Sequence, residues 1–201
     1  QSPHCIGMLS RQGRMHPDIC DFVNKHFYSE RLGSLSLEHQ KGALSTFGIP
    51  ESDIENWLSE SRLLFLNCPL PTPTSHSTKS NAAEAEAVAQ IVKSLVKLHG
   101  NNRSNFNAAC DIGIIVPFRA QIALVRNRLR TLGIEDADKF TIDTVECYQG
   151  SQREFVVFSA TISQPYQLNL LSEPHFVEGQ WVDRKLNVAI TRARQQFIMV
   201  G

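Results

Sequence analysis

Short apolar runs recur along this chain, and most are followed by a stretch with helical apolar spacing. The runs are Leu63–Asn67, Ile112–Val116, Phe140–Thr144, Phe155–Thr161 and Phe197–Val200. Short runs that are apolar throughout, rather than alternating, suit strands buried on both faces. A helix is expected over 16–28, where Pro17 fits the first helical position and Ile19, Phe22, Val23 and Phe27 are helically spaced. Others are expected over 51–60, from Asn81 to near Gly100, and from Arg119 to Leu132 with Gly133 as the stop. Asn81 with Glu84 three residues later has the form of a capping box. Strands alternating with helices mean an α/β domain with a mostly parallel sheet. Ligands of such sheets bind beyond the carboxyl ends of the strands, which puts Pro117–Arg119 and Thr144–Gln152 forward as site segments.

The 201 residues are read as one domain, 1–201, with 34–60 and 163–179 as loops or insertions. Segments 68–80 and 101–109 also read as loops. Lys+Arg and Asp+Glu both number 20, so any nucleic-acid contact is local or shared with another part of a longer protein. The five cysteines are scattered and contain no C-x-x-C pair. That speaks against zinc and a disulfide framework, and fits a reducing, intracellular setting, cytoplasmic or nuclear. No apolar run is long enough to span a membrane, and no signal peptide is visible. The chain opens mid-flow and stops just after an apolar strand, as a piece of a longer protein would.

Four segments carry candidate chemistry. In Gln12–Pro17, Q-G-R-M-H-P, Arg14 stands before a helix start. It either offers a planar guanidinium to a phosphate or is a surface arginine, and His16 reads as a capping or packing residue. In Ile112–Gln121, I-G-I-I-V-P-F-R-A-Q, Pro117 and Phe118 either offer an apolar edge to a base or sugar, or Phe118 sits in the core. In Thr141–Glu154, Gly150 permits close backbone approach, Thr144 can hydrogen-bond a nucleic-acid phosphate, and Gln149 and Gln152 can reach a nucleotide. Asp143 and Glu146 lack a third ligand nearby, so no metal site is expected.

The fourth segment is Arg184–Arg194, R-K-L-N-V-A-I-T-R-A-R. On a helix, Leu186, Ala189, Ile190 and Ala193 form one apolar face. Arg192 and Arg194 then point about 200° apart, so only one can enter a cleft. Arg192 is the candidate arginine finger and Arg194 is expected to hold structure. The alternative is an ordinary amphipathic helix with solvated arginines. No G-x-x-x-x-G-K-[ST] occurs, so phosphate-directed arginines here need a P-loop from elsewhere.

In order, these segments resemble the second RecA-like domain of superfamily 1 helicases, in the 5′-to-3′ branch that includes the nonsense-decay and Okazaki-processing enzymes. The family pattern is Q-Y-R-M-H-P, I-G-I-I-T-P-Y, V-D-x-F-Q-G-R-E and R-L-N-V-A-L-T-R-A-R, and the resemblance runs from Leu9 to Gly201. It implies a RecA-like three-layer α/β/α fold without its own P-loop. It implies ATP and Mg²⁺ bound mainly by a preceding RecA-like domain in cis. Arg14 and Arg192 would contact the γ-phosphate, Gln12, Gly150 and Gln152 would lie at the nucleotide, and Pro117, Phe118 and Thr144 would face single-stranded nucleic acid. The implied activity is that of an ATP-dependent helicase or translocase, with this chain inactive alone.

Gly13 replaces the family's tyrosine near the adenine, and Gln152 replaces its glutamate. Both departures keep open a second reading, a non-hydrolysing module that binds nucleic acid or partners. The Q-G-S-Q-R-E form leans towards DNA over RNA.

Overall fold

The computed structural model describes residues 10–44, 48–68, 79–100, 106–148, 150–162, 164–167, 172, 174–177 and 180–201. The chain begins with β1 (Arg11–Gln12), α1 (Pro17–Phe27) and β2 (Gly33–Ser34), then α2 (Asp53–Glu60), β3 (Leu63–Leu66) and α3 (Ala82–His99). It continues with α4 (Ala108–Asp111), β4 (Ile112–Ile115), α5 (Arg119–Thr131), β5 (Thr141–Asp143) and β6 (Arg153–Ser159). It ends with β7 (Pro174–Val177), β8 (Gln180–Asp183), α6 (Arg184–Ile190) and β9 (Ala193–Val200).

The central sheet has five strands in the order β3-β9-β6-β4-β5, every pair parallel. Alternation along β6 sends Phe155 and Val157 into one core and Val156 and Phe158 into the other. The first core is closed by α2, α3 and α5, through Leu58, Val88, Val92, Val125 and Leu129 among others. The second is closed by α1 and α6, through Ile19, Val23, Ala189 and Ile190. Burial on both faces is why the strands read as continuous apolar runs, and it makes the domain a three-layer α/β/α, RecA-like fold, as expected.

The helix starts follow local chemistry. Pro17 takes the first position of α1 while His16 Nδ1 accepts from the Asp18 N–H, so His16 caps. Ser52 accepts from the Glu55 N–H and opens α2. Asn81 accepts from the Ala83 and Glu84 N–H groups. The expected capping box does not close, because the Asn81 N–H goes to Gln121 Oε1 and the Glu84 carboxylate turns inward. Glu84 is fully buried, and accepts from Asn81 Nδ2, Ser159 Oγ, Thr161 N and Ile162 N. Burial pushes its pKa up against the pull of those bonds.

Three expectations need correction. The basic segment is not one helix over 184–194: α6 stops at Ile190, Thr191 is its C-cap, and Ala193 already belongs to β9. Residues from Ala193 pair with β6 and, from Phe197... to Val200, with β3 as well, and that sheet pairing outweighs helical propensity. Within 163–179, Pro174–Val177 is a strand and pairs antiparallel with Gln180–Asp183 as a hairpin. Within 101–109, Ala108 starts the short α4, capped by the Asn107 side chain. Most of the proline-rich loop (69–78), Gln149, and residues 1–9, 45–47 and 101–105 lie outside the described residues.

His99, at the end of α3, stacks against Phe155 with ring centroids 4.5 Å apart and is 5% exposed. Burial lowers its pKa to about 4 from the usual 6.5. The folded state therefore holds it neutral. Its contribution is fully present above pH 6.5 and is lost as pH falls through the folded value, reaching about 3 kcal/mol of lost stability. Urea unfolding across that range should show stability falling with pH, and His99→Leu should flatten this part of the profile. A variant profile parallel to the parent's would reject the assignment.

Candidate functional site

The parallel sheet separates the candidate residues into two groups at opposite ends. Gln152 immediately precedes β6 and Arg192 immediately precedes β9, so both stand at amino ends of strands, where the Arg153 N–H donates to the Arg192 carbonyl at 3.0 Å. Pro117 and Phe118 follow β4, and Thr144 follows β5, at the carboxyl ends. The expectation that all of Thr144–Gln152 lies beyond the carboxyl ends is thus half corrected. The chain returns across the sheet through the 3-10 turn Val145–Tyr148. Tyr148 anchors that crossing: its hydroxyl donates to the Thr141 carbonyl at 2.6 Å and accepts from the Ile114 N–H at 3.1 Å. The approach is so close that a Cβ on Gly113 would sit 3.0 Å from the Tyr148 ring and hydroxyl.

At the amino ends, Arg14 and Arg192 come together. Arg14 Nη1 donates to the Thr191 carbonyl at 3.0 Å, and Arg14 Nε to Gln152 Oε1 at 3.2 Å. Arg192 Nε donates to the Val188 carbonyl at 3.1 Å, and its Nη atoms to the Ser151 carbonyl and Thr191 Oγ1. All these acceptors are neutral, and among the described residues neither guanidinium makes an ion pair. Burial, and then the positive charge of Arg14, lower the Arg192 pKa. Arg194, by contrast, is paired with Glu154. The two arginines do point to different partners, but through a turn followed by a strand rather than through helix geometry.

The scaffold around Arg14 is built from side-chain amides. Gln12 Oε1 accepts from the Arg14 and Met15 N–H groups, both at 2.7 Å, while Gln12 Nε2 donates to the Met15 carbonyl and Ser34 Oγ. Gln40 Nε2 also donates to the Met15 carbonyl, at 2.7 Å. Gln12 is therefore engaged in shaping the loop that presents Arg14. Leu35 and Leu37, both more than a third exposed, stand where a side chain on Gly13 would project, their Cδ1 atoms 3.2 and 3.0 Å from a Cβ built there. Gly150 has φ +84° with nothing within 4 Å of a built Cβ, so the backbone turn, rather than a close approach, requires glycine. Thr191, which holds both arginines through its carbonyl and hydroxyl, was not singled out from sequence. Its only signal there is its place directly before Arg192.

At the carboxyl ends a cavity of about 250 Å³ is lined by Pro117, Phe118, Val145, Glu146, Lys185 and Leu186, among others. Pro117 and Phe118 meet there. Thr144 does not line it; its N–H donates to Asp143 Oδ1, and the residues after it form the wall. Its charged lining residues are Glu146, Asp183 and Lys185, and the exposed Arg119 and Arg184 directly follow the lining residues Phe118 and Asp183 in the chain. Sequence reading missed Lys185 and Leu186, which looked like parts of one amphipathic helix.

The sheet thus carries at one end an arginine pair that makes no ion pair among the described residues, and at the other a largely apolar cavity. The AAA domain family model matches residues 1–201, and the chain belongs to that family, as the C-terminal RecA-like region of superfamily 1 helicases. A DNA replication ATP-dependent helicase/nuclease of Arabidopsis thaliana is 29% identical, over 99% of this chain and 14% of its own length. A regulator of nonsense transcripts 1 of Dictyostelium discoideum is 27% identical, over 96% and 13%. The helicase sen1 of Schizosaccharomyces pombe is 29% identical, over 96% and 10%. The chain thus spans about a seventh or less of these three relatives. A solved C-terminal domain of a possible DNA helicase from Lactobacillus plantarum aligns over 94% of this chain and 87% of its own, at 13% identity and TM-score 0.47, too loose a likeness to argue from. Among the described residues no helix is long and apolar enough to cross a membrane.

Proposed function

We propose that this chain is the C-terminal motor domain of an ATP-dependent helicase or translocase, supplying Arg192 and Arg14 to an ATP site completed by a preceding RecA-like domain. The observation that carries the proposal is the arginine pair itself. Two guanidiniums held together by neutral acceptors repel each other, and Arg192 is already depressed by burial and by Arg14. A polyphosphate relieves that repulsion with charge-assisted bonds. The residues present fit the terminal phosphate end of ATP: Arg192 and Arg14 would hold it, with Gly150 and Gln152 alongside. Mg²⁺ and the remaining phosphates would fall to the preceding domain. ATP supplies a phosphoanhydride whose cleavage spreads charge over the transferring group, and the two arginines neutralise that charge.

Gln152 bears on the alternative, a non-hydrolysing module. Being neutral, it orients Arg14 without cancelling its charge, which favours the motor. The carboxyl-end cavity, with Pro117 and Phe118 and with Thr144 nearby, serves single-stranded nucleic acid in this reading. The lean towards DNA rests on the Q-G-S-Q-R-E form of the third segment.

The test is an ATPase assay on the full-length protein, with single-stranded DNA, with single-stranded RNA, and with neither. Strand-stimulated hydrolysis is expected, with DNA the better activator, and strand affinity should fall as salt rises. The 201-residue chain alone should not hydrolyse ATP. Saturable turnover by the chain alone would overturn the shared site, and salt-independent binding would remove the phosphate contacts.

A further inference from the structure

The β7–β8 hairpin carries two aromatic rings that the fold leaves uncovered. Phe176 and Trp181 are register partners, meet edge to face with centroids 5.3 Å apart, and are 63% and 71% exposed. Strand alternation puts Trp181 on the same hairpin face as Asp183, which lines the carboxyl-end cavity, and Phe176 on that face through Pro174, the partner of Asp183. Val182, on the opposite face, is buried, and β8 packs against α1, so the hairpin is held with its aromatic face outward. Trp181 thus stands two residues along β8 from Asp183 in the cavity wall, around which Lys185 and the exposed Arg184 and Arg119 outnumber the carboxylates of Glu146 and Asp183.

We infer that Phe176 and Trp181 are a base-stacking platform that extends the track for single-stranded nucleic acid beyond the cavity. The inference rests on reading that cavity as the nucleic-acid site. Exposed rings close to cationic side chains suit a single strand, because every base offers a π-face while its phosphates meet the cations. The platform reads no hydrogen-bond pattern, so it confers grip without sequence preference.

The test measures binding of the full-length protein to fluorescein-labelled oligo(dT) and to an abasic strand of equal length, at several salt concentrations. Trp181→Ala and Phe176→Ala should each weaken oligo(dT) binding by about 10-fold. They should weaken abasic-strand binding far less and leave the salt slope unchanged, since stacking releases no counterions. Trp181→Phe should restore most of the affinity. Equal losses on both strands, an altered slope, or no loss would overturn the platform. Phe118→Ala separates the two layers: if it weakens binding and the hairpin variants do not, the platform alone fails. If none of the three weakens binding, the cavity reading fails with it. A hairpin variant that impairs turnover at saturating strand with unchanged affinity would show the rings covered by a protein surface, which also overturns the inference.

Discussion

Arg192→Ala in the full-length protein is expected to lower ATP turnover by about 10³-fold or more, with nucleotide binding affected much less. The expectation follows from how Arg192 is held. Its Nε is fixed on the Val188 carbonyl, one turn back in α6, and its Nη atoms rest on Ser151 and Thr191. A guanidinium so placed is organised before any ligand arrives, and its charge is not cancelled by a carboxylate. Arg194→Ala is the contrast. It breaks the pair with Glu154 and should appear in unfolding experiments first. Steady-state kinetics and binding of a non-hydrolysable analogue separate these outcomes. Near-normal turnover in the Arg192 variant would remove it from the chemistry.

Replacing Glu84 with Leu is expected to destabilise the domain by about 3–5 kcal/mol, because it leaves buried polar groups without their partner. Thr161 N, Ile162 N, Ser159 Oγ and Asn81 Nδ2 all converge on this carboxylate. Thr161 has a positive φ of 56°, a conformation costly for a β-branched residue, and the Glu84 bonds help hold it there. For a domain of this size such a loss lowers Tm by roughly 10 °C or more. Glu84→Gln keeps one acceptor oxygen and should cost less. Thermal unfolding within a degree of the parent for Glu84→Leu would contradict the accounting. The site is also affected, since Ile162 and Phe118 line the cavity and Gln121, bonded to Asn81 and Ser159, sits one turn from Phe118.

The five strands of the central sheet, α1, α2, α3 and α5 were legible because each depends on local signals: apolar runs, a proline at a first helical position, a capping asparagine, a glycine at φ +68° after α5. The arginine candidates were legible because the order of four short segments is specific to one class of site. The end of α6 was not. The apolar stripe of Leu186, Ala189, Ile190 and Ala193 continues smoothly across a boundary that only pairing with β6 imposes, and all four residues enter the same core whether on helix or strand. The hairpin was hidden because its strands have one exposed face and no central-sheet partner.

The order of segments along the chain was enough to establish the fold class and the family, and to single out Arg14 and Arg192 as candidates, because these depend on residue type and spacing. The division of the candidates between two ends of the sheet depended on folding. Parallel strands put residues before a strand and residues after one on opposite edges, and the Tyr148 crossing carries the chain from one edge to the other within a few positions. The same holds for Glu84. Its capping spacing is local, but its role as a buried acceptor exists only where β6 ends against α3 and α5.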